Sequence, residues 1–92
     1  MKLLSFDQYF KNSLKDPEFK KLWEESNPKY QLSRQIIKKR LEKKMSQQDL
    51  AKKARTTQAI ISRLENSTLN PSLELIERIS VGLGSNLILS IK

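Results

Sequence analysis

Apolar residues recur at intervals of three and four along most of the chain, and this spacing predicts a series of amphipathic helices. Six segments show it, and they begin near residues 5, 16, 29, 46, 57 and 72. At the end of the chain Leu87, Leu89 and Ile91 lie two positions apart, which indicates a short strand. We therefore expect an all-α bundle of five to six helices with one short C-terminal β-strand.

Several predicted helices begin with residues that suit the first positions of a helix. Asp16 precedes Pro17, and an apolar-patterned segment follows each of Ser46, Thr57 and Ser72. Side chains of these types accept hydrogen bonds from the free N–H groups of a first helical turn, and proline fits the position after the cap. These residues therefore predict where four of the helices begin.

The helix predicted over residues 29–44 places Ser33, Ile37 and Leu41 on one stripe, with Ile36 beside it. Its lysines lie elsewhere around the helix, and they form either a solvated face or a contact surface. Both interpretations stay open for these four residues, which are Lys38, Lys39, Lys43 and Lys44.

Composition excludes several classes of function. The chain has 92 residues and contains neither cysteine nor histidine, so disulfides, thiolate metal sites and histidine-based catalysis are absent. We expect no enzymatic activity, no metal site and no cofactor. The N-terminal residues contain no apolar run long enough for a signal peptide or a membrane span, so we expect a cytoplasmic protein that does not contact a membrane.

Positive charge is concentrated in the second part of the chain. Residues 1–33 hold six lysines and five acidic residues, whereas residues 34–92 hold twelve lysines and arginines and five acidic residues. A basic excess of this kind favours a polyanionic partner, because lysine and arginine release counterions when they neutralise phosphates. On charge alone, a solvated basic surface remains the alternative.

The aromatic residues have the opposite distribution, since all six lie within residues 1–33. They either enlarge a small core or form an apolar docking surface for another protein, with Phe19 and Trp23 as its anchors. We divide the chain, as one compact domain, into an N-terminal helical segment (1–33), a core (34–84) and a C-terminal strand (85–92).

Two short helices joined by a tight turn are predicted within residues 46–66. Gln47 and Gln58 open these helices, and a glutamine in a first helical turn can meet a phosphate or, in the major groove, a base edge. Helix-turn-helix modules use both placements, because their first helix crosses the DNA backbone and their second enters the groove.

The segment SQQDLAKKARTTQAIISRLEN resembles the helix-turn-helix core of the XRE (lambdoid Cro/repressor-like) family, and the resemblance extends from about Arg34 to Leu83. It implies that Gln47 and Asn66 hold phosphates, that Gln58 and Ala59 face bases, and that Ser62 and Arg63 extend the reading face. Thr57, also assigned to DNA binding, is expected chiefly as a helix cap, with any contact to a phosphate secondary. Arg40 and Glu65 match positions where family members often form a partly buried ion pair.

Two positions depart from the family pattern. Arg55 stands in the turn where the family usually has glycine, and an arginine with positive φ is strained by roughly 1 kcal/mol. We therefore expect a slightly altered turn, or an exposed Arg55 near a phosphate. Ser67 also replaces a common glycine, which leaves the path of residues 67–69 open.

The order of a DPEF…LWEE stretch, an Asn-Pro break, the XRE-like core and a terminal strand is similar to HigA-type antitoxins of type II toxin–antitoxin pairs. The similarity implies an autorepressor of operator DNA that neutralises a RelE/HigB-like ribonuclease toxin, as a homodimer and as a heterotetramer with the toxin. The terminal strand is expected to pair with the same strand of a second copy, with the toxin's sheet as the alternative partner. The alternative is a plain XRE-family regulator without a toxin partner. The residues assigned to toxin binding are Phe10, Phe19, Leu22 and Trp23.

Overall fold

The computed structural model describes residues 2–5, 17, 21, 25 and 27–91. These residues contain strand β1 (Lys2–Ser5), helices α1 (Pro28–Glu42), α2 (Gln47–Lys53), α3 (Gln58–Glu65) and α4 (Leu73–Leu83), and strand β2 (Ile88–Ile91). The two helices predicted before residue 27 lie outside the described residues, except that Pro17, Lys21 and Glu25 have helical backbone. None of the described helices is long and apolar enough to cross a membrane.

The N-termini of α2, α3 and α4 are capped as their sequences predict. The hydroxyls of Ser46, Thr57 and Ser72 accept hydrogen bonds from the backbone N–H groups of the third residue of the respective helix. In α2 the Asp49 carboxylate also accepts from the Ser46 N–H, which completes a capping box. Each cap satisfies a donor that would otherwise lack a partner.

The four described helices share one type of C-terminal end, in which a residue with left-handed backbone reverses the chain. In the turn after α2, the Thr56 N–H donates to the Ala51 carbonyl at 2.9 Å and the Arg55 N–H donates to the Lys52 carbonyl at 3.3 Å. This pair of bonds defines a Schellman motif. The left-handed residues are Lys44, Arg55, Ser67 and Gly84, with φ between 54° and 62°.

The turn expected to be altered at Arg55 is therefore regular, and the first of the two expectations for this residue is wrong. Arg55 adopts the positive φ of 54° that the family pattern assigns to glycine, and its side chain is exposed. The two backbone hydrogen bonds of the motif hold the residue in this strained conformation. Ser67 does the same after α3, with φ of 59°.

The core lies between α1 and the three following helices and is closed at one end by Leu87. On α1 it takes Leu32 and Ile36, while Ile37 is half-buried and Leu41 is 59% exposed. The stripe through Ile37 and Leu41 therefore does not face the core, although Ser33 does. Among the described residues, the largest side chains that are almost completely buried are those of Leu32, Ile36, Leu50, Ile61, Leu64, Ile76, Ile79, Leu83 and Leu87.

Helix α4 approaches the end of α2 closely at Gly82. A Cβ atom at this position would lie 3.3 Å from both the Ala54 backbone nitrogen and the Leu50 Cδ1 atom. The absence of a side chain thus lets α4 pack directly behind the turn that joins α2 to α3.

The two strands form one antiparallel sheet within the chain. Lys2 is opposite Ile91 and Ser5 is opposite Ile88. The C-terminal strand was expected to pair with a second copy, and this expectation is wrong because β1 of the same chain takes that edge. Backbone groups of a strand need partners, and four residues at the N-terminus supply them.

Side chains of α1 and of Lys43, which directly follows it, contact the chain from the end of α4 to the start of β2. Gln35 accepts from the Ile88 N–H at 2.6 Å and donates to the Ile88 carbonyl. Lys39 donates to the Ser85 hydroxyl at 2.5 Å and to the Asn86 carbonyl at 3.2 Å, and Lys43 donates to the Leu83 carbonyl. Of the two lysines, Lys43 therefore binds the negative end of α4, and Lys39 binds the chain that follows it.

Candidate nucleic-acid interface

Helix α3 has one buried face and one exposed face. Ile61 and Leu64 are buried in the core, whereas Gln58, Ala59 and Arg63 are exposed and Ser62 is half-buried. The buried residues are three positions apart, so the helix is fixed by its inner side and its first turn remains accessible. The outer face of α3 can therefore present amide, hydroxyl and guanidinium groups to a ligand.

Two neighbours of Gln58 have mainly structural contacts. The exposed Thr57 caps α3, since its hydroxyl accepts from the Ile60 N–H at 3.2 Å. Ile60 is half-buried and packs against the core, so the part of the helix beside Gln58 is anchored on both sides. These contacts hold the first turn of α3 in place.

The turn before α3 and the end of α2 carry an exposed basic group. Arg55 is exposed in the turn, and Lys52 and Lys53 are exposed in the last turn of α2. The two lysines were not among the predicted DNA-binding residues. Together the three residues form a positive edge next to α3.

The N-terminus of α2 is connected to the C-terminus of α3. The half-buried Gln47 donates through Nε2 to the Glu65 Oε1 atom at 3.2 Å. The exposed Asn66, the other residue predicted to hold a phosphate, is the C-cap of α3 and directly follows Glu65. Nearby, hydrogen bonds from the Ser46 backbone and hydroxyl lower the pKa of the exposed Asp49 carboxyl.

The predicted ion pair between Arg40 and Glu65 is present. The Arg40 Nε and Nη2 atoms donate to the two Glu65 carboxylate oxygens at 2.8 and 2.9 Å, and Nη1 donates to the Met45 carbonyl at 2.8 Å. The side chains of Arg40 and Glu65 are only 12% and 6% exposed. The hydrogen bond to Glu65 raises the pKa of the Arg40 guanidinium against the opposing effect of burial.

All eight predicted DNA-binding residues lie on the α2–turn–α3 unit and its C-terminal cap, and none of them belongs to the hydrophobic core. The four residues assigned to toxin binding, Phe10, Phe19, Leu22 and Trp23, lie outside the described residues. No group of acidic residues within the described part of the chain could hold a metal ion.

Comparisons with known proteins place this unit in a family. A helix-turn-helix family, HTH_3, matches residues 36–88. The wild-type restriction-modification controller protein C.Esp1396I is 37% identical, with a TM-score of 0.60, over 62% of this chain and 74% of the controller. A single-substitution mutant of that controller gives 38% identity and a TM-score of 0.59, over 61% of this chain and 75% of its own.

No curated protein sequence is significantly similar to the chain. The helix-turn-helix match nevertheless covers more than half of the 92 residues and includes α2, the turn and α3 in full. The chain therefore belongs to the HTH_3 family of XRE-type helix-turn-helix DNA-binding regulators.

Proposed function

We propose that this protein is a transcriptional regulator that binds operator DNA through α3. The observation that carries the proposal is the exposed face of α3, on which Gln58, Ala59 and Arg63 are accessible while Ile61 and Leu64 fix the helix from behind. A helix held in this way can enter the major groove with its first turn facing the bases.

Different residues carry different parts of the binding. The Gln58 amide offers a donor and an acceptor, which suits the adjacent N6 and N7 groups of adenine. Ala59 faces the bases, and Ser62 and Arg63 extend the contact along the groove. Gln47, Arg55 and Asn66 hold phosphates, which position the helix without reading sequence. Thr57 contributes mainly by capping α3.

The plain regulator is the better supported of the two functions considered. Helix-turn-helix membership and similarity to a restriction-modification controller both support a regulator of genes, and neither contains any indication of a toxin. The antitoxin hypothesis depends on Phe10, Phe19, Leu22 and Trp23, which lie outside the described residues.

The identity of the neighbouring genes distinguishes the two. Genes for a DNA methyltransferase and an endonuclease beside this one would support a controller role like that of C.Esp1396I. A small basic RelE-like protein encoded there would support the antitoxin instead. The homodimer remains a prediction in either case.

A selection experiment tests the proposal directly. The protein is used to select tight-binding duplexes from a random library, and the affinities of wild type and Gln58→Ala are then compared on the selected duplex and on an unselected one. We expect Gln58→Ala to lose about 1–3 kcal/mol on the selected duplex and little on the other, because only a base contact depends on sequence.

Gln48→Ala is the matched control, since Gln48 is an exposed glutamine on the neighbouring helix α2. It should leave both affinities unchanged. Equal losses for Gln58→Ala on the two duplexes would rule out base reading by this residue. Failure to enrich any sequence would contradict the proposed function itself.

A further inference from the structure

Glu65 lies where three helices meet, and its groups contact all of them. Its carboxylate accepts from Arg40 of α1 and from Gln47 of α2, and its backbone carbonyl accepts from the Ser33 hydroxyl at 2.5 Å. Glu65 is itself the last residue of α3. A single residue thus connects the start of α2 to the end of the helix proposed to read DNA.

The contact with Glu65 fixes the orientation of the Gln47 side chain. An ionised carboxylate can only accept hydrogen bonds, so the Gln47 amide must turn its NH₂ group, and not its carbonyl, toward Glu65. One amide hydrogen is used in this bond at 3.2 Å between Nε2 and Oε1, and the second remains available. Gln47 is half-buried, so part of its side chain reaches the surface.

A carboxylate close to a phosphate would normally oppose DNA binding, because like charges repel. Here Arg40 neutralises it through two hydrogen bonds of 2.8 and 2.9 Å to the two carboxylate oxygens. The Arg40 guanidinium is held in turn by the Met45 carbonyl, just before the N-cap of α2. The ion pair therefore allows Glu65 to act as a hydrogen-bond acceptor near DNA without adding a net negative charge.

We propose that Glu65, neutralised by Arg40, is a positioning residue that orients the Gln47 amide so that its second N–H donates to a DNA phosphate. The inference rests on the proposed DNA-binding function and adds to it a role for a residue that does not touch the DNA. Its consequence is that the ion pair contributes to DNA affinity as well as to the stability of the fold.

The substitution Glu65→Gln separates this role from a simple charge effect. Arg40 and Gln47 already share the Glu65 Oε1 atom, and in glutamine that single acceptor oxygen is neutral, so the hydrogen bond that orients Gln47 loses its charge assistance and weakens. Removal of a negative charge should by itself strengthen binding to DNA. We expect the opposite sign, a loss of about 3-fold to 10-fold on a random-sequence duplex, as for one lost hydrogen bond.

Two further variants complete the measurement. Glu74→Gln removes an exposed acidic residue on α4 and reports the effect of charge alone, so it should leave affinity unchanged or slightly higher. In a Gln47→Ala background, Glu65→Gln should change affinity by less than about 2-fold, because the side chain that it orients is gone. An equal loss in both backgrounds would show that Glu65 acts through the fold in general and would overturn the proposal.

The Gln47 side-chain amide gives a measurement that needs no substitution. In the NMR spectrum of the wild-type protein, one of its two amide protons should be shifted downfield from its position in exposed glutamines such as Gln48. Folded Glu65→Gln should lose that shift. A wild-type Gln47 resonance like that of Gln48 would overturn the proposal even if Glu65→Gln does not fold.

The failures of the two proposals are distinguishable. If wild-type protein does not bind duplex DNA, the proposed function fails while the amide measurement still tests the orientation of Gln47. If the protein binds DNA and Gln47→Ala binds equally well, the regulator remains and the positioning role is overturned.

Discussion

At the residue scale, the left-handed helix ends deserve an explanation because three of the four lack glycine. Lys44, Arg55 and Ser67 adopt φ of 54–59°, and only Gly84 is the residue type that accepts this conformation without strain. Each of the three costs roughly 1 kcal/mol relative to glycine. Arg55 differs from the others because it is an exposed cation in the turn of the helix-turn-helix unit.

The substitution Arg55→Gly tests whether that strain is retained for DNA binding. We expect the melting temperature to rise by about 4 °C or more as the strain is relieved. Affinity for duplex DNA should fall, and the slope of log affinity against log salt should decrease by about one, because a phosphate contact is lost.

Ser67→Gly is the matched control, since it relieves the same strain at the end of α3 without removing a charge. It should raise the melting temperature and leave the salt slope unchanged. A normal salt slope for Arg55→Gly would show that Arg55 does not contact phosphate.

The sequence predicts the helix caps well and the burial of some side chains poorly, and the difference has a physical reason. The caps at Ser46, Thr57 and Ser72 are local interactions that depend on the next three residues, so they can be read directly. The exposure of Leu41 depends on where α1 contacts the other helices, because its few aliphatic residues do not form one clear stripe that marks the buried side. Short-range sequence patterns do not contain that information.

At the element scale, α1 organises the C-terminal end of the domain. Gln35, Lys39 and Lys43 are spaced four residues apart, and each contacts the backbone or a side chain between Leu83 and Ile88. Both backbone groups of Ile88 bind the Gln35 amide, so this amide occupies one edge of β2 while β1 occupies the other. The helix therefore fixes the sheet to the helix-turn-helix core.

Gln35→Ala should loosen the sheet locally. The Ile88 N–H donates to Gln35, so its hydrogen exchange should accelerate by about tenfold or more once that acceptor is removed. Exchange at buried amides of α3 should be unchanged. The comparison is Lys38→Ala, an exposed position on the same helix, which should have no effect on Ile88. Unchanged hydrogen exchange of the Ile88 N–H in Gln35→Ala would show that the hydrogen bonds between Gln35 and Ile88 are not formed in solution.

The sheet formed by β1 and β2 could be predicted from the sequence only in part. Alternation of Leu87, Leu89 and Ile91 indicates a strand in the region where β2 lies. The partner strand Lys2–Ser5 has four residues, too few to display a period, and it is more than eighty positions away in sequence. Pairing over that distance within one chain cannot be distinguished from pairing with a second copy by pattern alone.

At the scale of the whole molecule, charge and family membership point to the same partner. The basic excess belongs to residues 34–92, and the helix-turn-helix match covers residues 36–88 of that part. The family resemblance of the α2–turn–α3 segment was visible in sequence because the residues that carry it are contiguous in the chain, from Ser46 to Asn66. The sequence did not decide between a plain regulator and an antitoxin, since that choice depends on whether a partner protein exists.

The central claim is that the outer face of α3 binds DNA, and NMR titration with a selected duplex tests it most directly. We expect the largest amide shifts on binding at Gln47 and from Arg55 to Arg63, with small shifts from Leu83 to Ile91. Largest shifts within α4 and β2, with α3 unaffected, would contradict it.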